Sequence, residues 1–170
     1  QVREHASLPR DLQQSGAESP RAAVAQRHSV LRTTYHTAAS DSGDDTGVPV
    51  PTVDPDLQPG WAQHDLSELS ERARQLRLEV LAQREFAAPF DLGADSPLRV
   101  TVIRTGPTEL VMLLVAHHIA WDDASWQVFF GDLTRAYDGE QLAEVVPAPV
   151  PADDQTEALE YWRGVLADPP

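Results

Sequence analysis

The strongest constraint on the fold comes from residues 98–137, which follow the order strand, turn, strand, helix. Residues 98–104 (LRVTVIR) alternate roughly as a strand does, and Gly106 and Pro107 supply a turn. Residues 110–116 (LVMLLVA) are continuously apolar, which is typical of a strand buried on both faces. This pattern predicts a β-hairpin. Asp122 and Asp123 then begin a helix that runs to about Tyr137, with an apolar face of Val128, Phe129, Leu133, Ala136 and Tyr137.

Upstream of the hairpin, helix and strand signals are shorter. Ser19 and Pro20 form a helix start, since Ser caps well and Pro suits the first helical position. Residues 32–37 (RTTYHT) favour a strand, 39–47 a solvated loop, and 48–53 an edge strand because of its two prolines.

The longest helix is predicted to open at Asp65, where Glu68 completes a capping box and Ser67 is a competing cap. Pro89 ends it, and a last amphipathic helix spans 153–166. The mixture of elements indicates an α/β or α+β fold. The apolar stripe predicted for the longest helix consists of Leu66, Leu69, Ala73, Leu76, Val80, Leu81 and Ala87.

Composition excludes several function classes. The net charge of −14 disfavours a nucleic-acid partner, because phosphate binding requires an excess of basic side chains. Cysteine is absent, so neither disulfides nor thiol chemistry is available. No apolar run approaches the ~18 residues of a membrane span, and no signal peptide is visible. We therefore expect a protein of the cytoplasm with no membrane partner.

The segment with the clearest chemical potential is 117–123 (HHIAWDD), at the junction of the buried strand and the helix. A strand end is rigid, and a helix start offers unpaired N–H groups, which together suit acid–base work on an acyl group. A hydrogen-bonded histidine pair that only stabilises the strand end is an equal alternative. A metal site built from His117, His118 and Asp122 is disfavoured, because adjacent strand residues point to opposite faces. Ser125 lies in no nucleophile motif.

The same segment resembles the HHxxxDG motif of condensation domains of nonribosomal peptide synthetases. Other segments resemble that family in the same order: 27–33 (RHSVLRT) is similar to RHxxLRT, and 65–67 to the DLS before a long helix. Residues 89–92 with 97–99 are similar to PFDL…PLxR, and 161–162 to a YW pair. The resemblance runs from about residue 21 to 166.

The resemblance implies an α/β (α+β) sandwich, a chloramphenicol acetyltransferase-like lobe in which helices flank a mixed sheet. It implies amide-bond formation between a donor acyl thioester and an acceptor aminoacyl thioester. Phosphopantetheine arms of carrier domains deliver both, and no cofactor or metal is bound directly. The implied partners are the carrier and adenylation domains of the same assembly line and a missing carboxy-terminal lobe. Without that lobe, we expect the chain to be inactive.

For the site residues, the resemblance places His118 at the reaction centre and gives His117 a supporting role. Asp122 is implied to form a structural salt bridge with the other lobe. Asp123 stands where the family has Gly, a residue that permits φ > 0, and we expect the loop conformation to be kept. Arg27 and its neighbour His28 are interpreted first as a solvated helix face. Arg32 is a candidate for pairing with a carboxylate, and Trp121 for either a channel wall or core packing.

The chain is divided into a poorly defined segment (1–20), the lobe with the motif (21–143), a Pro-rich connection (144–152) and a helix leading to the second lobe (153–170). Three other functions stay open. They are an O-acyltransferase of the same fold, an epimerisation domain, and a degenerate lobe that only docks carrier domains.

Overall fold

The computed structural model describes residues 19–39, 45–146 and 156–167. It contains four α-helices, five strands and a 3-10 turn at Ser29–Arg32 within these ranges. Among the described helices, none is long and apolar enough to cross a membrane. The elements are α1 (Pro20–Arg27), β1 (Thr33–Ala39), β2 (Asp45–Val53), β3 (Gly60–Asp65), α2 (Glu71–Ala87), β4 (Leu98–Arg104), β5 (Leu110–Ala116), α3 (Asp123–Tyr137) and α4 (Thr156–Val165).

A three-stranded mixed sheet in the order β3-β4-β5 organises the fold. β3 runs parallel to β4, and β4 pairs antiparallel with β5 from Leu98↔Ala116 to Arg104↔Leu110, so the predicted hairpin is confirmed. A separate antiparallel pair joins β1 to β2. The predicted mixed sheet with flanking helices is therefore present.

Helices cover both faces of the β3-β4-β5 sheet, because β4 alternates its side chains between two apolar clusters. Leu98, Val100 and Val102 face the larger cluster, which α1 and α3 complete with Val24, Phe129 and Leu133. Ile103 faces the smaller cluster, where Leu81 of α2 and Leu66 pack. The two clusters make a helix–sheet–helix arrangement.

The prediction that β5 is buried on both faces was wrong. All seven residues of β5 are half-buried, whereas β4 is buried at five of its seven positions. The apolar run of β5 indicates contact with both clusters, but within the described residues β5 has a neighbour strand on one side only. β4 lies between two strands and is therefore the more enclosed strand.

The predicted start of the longest helix was also wrong. α2 begins at Glu71 after Ser70, and Asp65 instead ends β3. The Asp65 carboxylate accepts hydrogen bonds from the backbone N–H and hydroxyl of Ser67, so it closes a turn rather than a capping box. Of the predicted apolar stripe within α2, only Leu81 is buried, and Leu76 and Val80 are more than half exposed.

The remaining sequence predictions meet the structure in part. Ser19 caps α1 by accepting the Ala22 N–H, as predicted. β2 begins at Asp45, so the predicted loop is shorter at that end, and residues 40–44 lie outside the described ranges. The same holds for residues 1–18 and for most of the Pro-rich connection. In α4 and just after it, Leu159, Trp162 and Leu166 are exposed.

Candidate functional site

The loop between β5 and α3 (residues 117–122, the motif loop) is held at both ends by backbone and side-chain hydrogen bonds. The His117 N–H donates to Pro97 O at 2.9 Å, which extends the β4–β5 ladder by one residue, and the Ala120 N–H closes a turn on His117 O at 3.0 Å. At the other end Asp122 caps α3, accepting from the Ser125 N–H at 2.9 Å and the Ser125 hydroxyl at 2.6 Å. The loop therefore has fixed ends.

His118 is exposed and its Nδ1 lies 3.0 Å from the backbone carbonyl of Trp121. A carbonyl oxygen can only accept, so in the neutral ring the proton sits on Nδ1. Nε2 then carries the lone pair, and it forms no hydrogen bond with any residue that the structure describes. The ring is thus oriented and presents a free acceptor to solvent, which is what a general base requires.

His117 is half-buried and hydrogen-bonded in the opposite sense. Its Nδ1 accepts the Ile119 N–H at 3.1 Å, which places the proton of the neutral ring on Nε2. Its ring packs edge-to-face on Phe90, with 5.9 Å between centroids. The two neighbouring histidines therefore have different surroundings, and His118 is the one that solvent reaches freely. Among the described residues no group of three His, Cys, Asp or Glu is arranged to hold a metal ion.

Asp122 and Asp123 occupy the start of α3. The hydrogen bonds from Ser125 lower the pKa of Asp122 below its usual value, and Asp122 forms no ion pair within the described ranges. Asp123 is exposed and is the first residue of the helix. No non-glycine residue in the described part of the chain has positive φ. Asp123, which stands where the HHxxxDG motif has Gly, therefore needs no left-handed backbone here.

Trp121 packs in the core and also lines a groove. It is 8% exposed and contacts the rings of Trp126 and Phe129 at centroid distances of 4.9 and 5.3 Å. A groove of about 250 Å³ opens beside it, between the turn after α1 and the first turns of α3. Both functions left open for Trp121 are therefore compatible with its position. Ala120, Ala124 and Val128 also line this largely apolar groove.

Arg27 and His28 do not form a solvated face, contrary to the first interpretation. Both bind the buried carboxylate of Asp132 on α3: Arg27 Nε lies 2.8 Å and His28 Nε2 2.7 Å from Oδ2. Arg135 binds the other oxygen, Oδ1, at 2.9 Å. Burial by itself raises the pKa of Asp132, but the hydrogen bonds from His28 and Arg27 outweigh it, so this carboxyl has a pKa below its usual value. The network ties α1 to α3 behind the motif loop.

Arg32 is buried and pairs with a carboxylate, the partner being Glu144 at 2.9 Å. Its Nε and Nη2 also donate to the carbonyls of Ala25 and Gln26 at the end of α1. Sequence reasoning missed both Asp132 and Glu144 as partners. For Asp132 a signal existed, because a carboxylate directly beside Leu133 on the apolar face of α3 requires a buried cation.

A family model described as "Condensation domain" matches residues 8–168. The match begins well before residue 21, where the resemblance first became visible in the motifs. Among curated relatives, a linear gramicidin synthase protein of Brevibacillus parabrevis is 33% identical over 162 residues, which cover 84% of this chain and 2% of that protein.

Two solved structures are also similar. The SgcC5 protein of Streptomyces globisporus, solved in a complex with (R)-(-)-1-(2-naphthyl)-1,2-ethanediol and sucrose, is 26% identical with a TM-score of 0.57 and covers 91% of this chain and 34% of its own. A second solved structure, described as the molecular basis for condensation domain-mediated chain release from the enacyloxin polyketide synthase, is 24% identical with a TM-score of 0.60. The match covers 91% of this chain and 31% of the solved chain. The latter likeness shows the fold alone. The chain thus spans about a third of each solved chain and 2% of the gramicidin synthase protein.

Proposed function

This chain belongs to the condensation-domain family, and we propose that it supplies the amino-terminal lobe for amide-bond formation on a nonribosomal peptide assembly line. The substrates are a donor acyl or peptidyl thioester and an acceptor aminoacyl thioester, each carried on the phosphopantetheine arm of a carrier domain. The family match over residues 8–168 and the gramicidin synthase relative support this proposal. The single observation that carries it is the exposed His118 ring, whose Nδ1 is fixed on the Trp121 carbonyl.

His118 acts on the acceptor amine through Nε2. The amine nitrogen attacks the donor carbonyl carbon, a C–N bond forms and the C–S bond breaks. Nε2 takes the proton that the amine loses and then gives it to the sulfur that leaves on the donor arm, which departs as a thiol. The Trp121 carbonyl keeps Nδ1–H in place and stabilises the transient imidazolium, since both ring nitrogens donate in that state.

The domain organisation proposed here follows the same reasoning. Residues 21–143 form the lobe with the motif, 144–152 connect it onward, and 153–170 lead towards the second lobe. Carrier and adenylation domains are the partners, and the cytoplasm is the compartment. Since His118 lies on an open surface, a second wall is needed to position two substrate arms, and positioning supplies much of the rate enhancement in such reactions. We therefore expect the 170 residues by themselves to form no amide.

Acyl transfer to an alcohol is the second candidate. The similar SgcC5 protein was solved with a diol, and a free Nε2 acceptor serves a hydroxyl as well as an amine. A hydroxyl nucleophile would give an ester rather than an amide. The two candidates therefore differ in the acceptor and in the product bond.

The test joins this chain to the carboxy-terminal lobe of a condensation domain. It supplies a donor acyl-carrier thioester with either an aminoacyl-carrier or a hydroxyacyl-carrier acceptor, and mass spectrometry identifies the carrier-bound product. We expect amide with the amine acceptor, and a loss of about 10²- to 10⁴-fold in His118→Ala, the usual contribution of a general base. His36→Ala removes another exposed histidine, on β1, and is the matched control. Undiminished amide formation by His118→Ala would refute the role assigned to this ring.

A further inference from the structure

A cation–aromatic stack joins the end of α2 to the motif loop. Arg99 on β4 donates to three carbonyls at the carboxyl end of α2: Nη2 to Glu85 O at 3.0 Å and Ala88 O at 2.7 Å, and Nη1 to Pro89 O at 3.0 Å. These carbonyls include groups that a helix end leaves without intrahelical partners. A cation at this end also complements the helix dipole. Arg99 therefore fixes where the chain goes after α2.

Phe90, the next residue, is held between Arg99 and the motif loop. The guanidinium carbon of Arg99 lies 3.8 Å from the centroid of the Phe90 ring, a cation–π contact. The same ring meets the His117 imidazole edge-to-face, at 83° between ring planes. The position of Phe90 is thus set on one side by Arg99, and Phe90 in turn restricts the rotation of the His117 ring.

The orientation of the His117 ring matters because its Nδ1 accepts the Ile119 N–H. That bond and the bond from the Ala120 N–H to His117 O are the two hydrogen bonds inside the turn 117–120. His118 lies within this turn, and the Trp121 carbonyl that holds its Nδ1 follows directly after it. A rotated His117 ring would release Ile119 and free the turn that presents His118.

We propose that Phe90, held in place by Arg99, is a positioning residue for the reaction. It keeps the His117 ring oriented as the acceptor of the Ile119 N–H, and this keeps the His118 ring in the orientation that the reaction requires. Phe90 touches no substrate in this role. The inference rests on the proposed function for its kinetic consequence, but the hydrogen bonds that it invokes belong to the chain itself. It can therefore be tested in the absence of any reaction.

The test compares Phe90→Leu with Phe90→Tyr and with the matched control Phe86→Leu. Phe86 lies on α2, is 56% exposed and has no ring partner among the described residues. Nitrogen-15 NMR of the ring nitrogens reports the tautomers of His117 and His118 in the 170-residue chain. We expect Phe90→Leu to shift the Nδ1 signal of His117 away from its hydrogen-bonded value and to mix the tautomers of His118. Phe90→Tyr retains the ring and should restore both signals, and Phe86→Leu should leave them unchanged.

The amide-formation assay with this chain joined to a carboxy-terminal lobe gives a second readout. Phe90→Leu should lower kcat by about tenfold or more with little change in KM, since misplacing a reacting group by about 1 Å lowers the rate by up to a hundredfold. A merely structural role would lower thermal stability and leave the ring signals of the folded fraction and the kcat per folded molecule intact, and that result would overturn the proposal. Failure of the proposed function shows separately, as an undiminished rate in His118→Ala.

If Phe90→Leu does not fold, the wild-type chain still decides the matter. If Phe90 packs on His117 and His117 accepts the Ile119 N–H, a nuclear Overhauser contact joins the Phe90 and His117 rings and the Ile119 amide exchanges slowly with solvent. Both should be present. Absence of the ring contact, or exchange of the Ile119 amide at the rate of an open loop, would overturn the inference without any variant.

Discussion

The carboxylate of Asp132 on α3 lies 2.7 Å from Nε2 of His28 at the end of α1, and the same oxygen accepts from Arg27 Nε at 2.8 Å. One buried carboxylate thus joins two helices through residues that are more than a hundred positions apart in sequence. These helices cover the face of the sheet that carries the larger apolar cluster, and Trp121 of the motif loop belongs to that cluster. The stability of the lobe should therefore depend on Asp132 more than on any exposed acidic residue.

Asp132→Ala should lower the free energy of unfolding by about 2 kcal/mol. Removing one partner of a buried ion pair leaves the other uncompensated, a loss of about 3–5 kcal/mol when both are fully buried; Arg27 and His28 keep about a fifth of their side-chain exposure, which reduces it. Urea unfolding followed by circular dichroism measures the change. Asp138→Ala, at the exposed end of α3, is the control, and an equal loss in both variants would contradict a special role for Asp132.

The same carboxyl predicts how stability depends on pH. Its pKa is lower in the folded chain than in the unfolded one, so the unfolded chain binds the proton more readily. The contribution of Asp132 is complete above the unfolded pKa of about 3.9 and is lost as pH falls from there through the folded value. Urea unfolding at intervals from pH 6 to pH 3 should therefore show a steeper acid loss in wild type than in Asp132→Asn. Parallel curves would show that another carboxyl dominates.

Asp123→Gly should leave turnover within about tenfold of wild type, because Asp123 starts α3 without positive φ and needs no glycine. Stability should fall slightly, since Gly has a somewhat lower helix propensity than Asp and the favourable charge at the amino end of the helix, worth about 0.3–1 kcal/mol, is lost. Steady-state kinetics of the two-lobe enzyme and urea unfolding measure the two effects. A gain in turnover of several orders of magnitude would show that the Asp123 side chain obstructs the site.

Two leucines on α2 should respond very differently to the same substitution. Leu81 is 2% exposed in the smaller apolar cluster, and Leu81→Ala should cost about 2–4 kcal/mol. Leu76 is 56% exposed, and Leu76→Ala should change stability by less than about 0.5 kcal/mol. Thermal and urea unfolding of both variants provide the measurement. Similar losses in the two variants would contradict the burial of Leu81 and the exposure of Leu76 in this structure.

Local chemistry made the hairpin and the start of α3 predictable. Gly106 and Pro107 turn the chain between two β-rich runs, and Asp122 caps the helix with the residue three positions on. Each of these signals lies within a few residues of the feature it produces. The position of the histidine pair at a strand end followed from them, and the structure agrees.

Features that depend on contacts between distant residues could not be predicted from the sequence. β3 (Gly60–Asp65) contains no Val, Ile or Thr, and its strand form comes from parallel pairing with β4, 39 residues further on at Gly60↔Arg99. Because that pairing extends to Asp65, the residue was unavailable as a helix cap and α2 began later. The Arg27–Asp132 pair is likewise set by packing of α1 on α3 rather than by any local pattern.

The pairing of β4 with β5 has a consequence for how this lobe tolerates insertions and deletions. His117 and His118 have chemically the same ring, and their different positions just after the end of the β4–β5 ladder decide which one supports the turn and which one meets solvent. A slip of one residue in one direction would bring His117 to the exposed position, and a slip in the other direction would bring Ile119 there, because neighbouring strand residues face opposite sides. Changes in length between Arg104 and Leu110 fall in the turn and leave the pairing free to re-form, whereas a single residue lost from β5 would place Ile119, which has no imidazole, where His118 now lies.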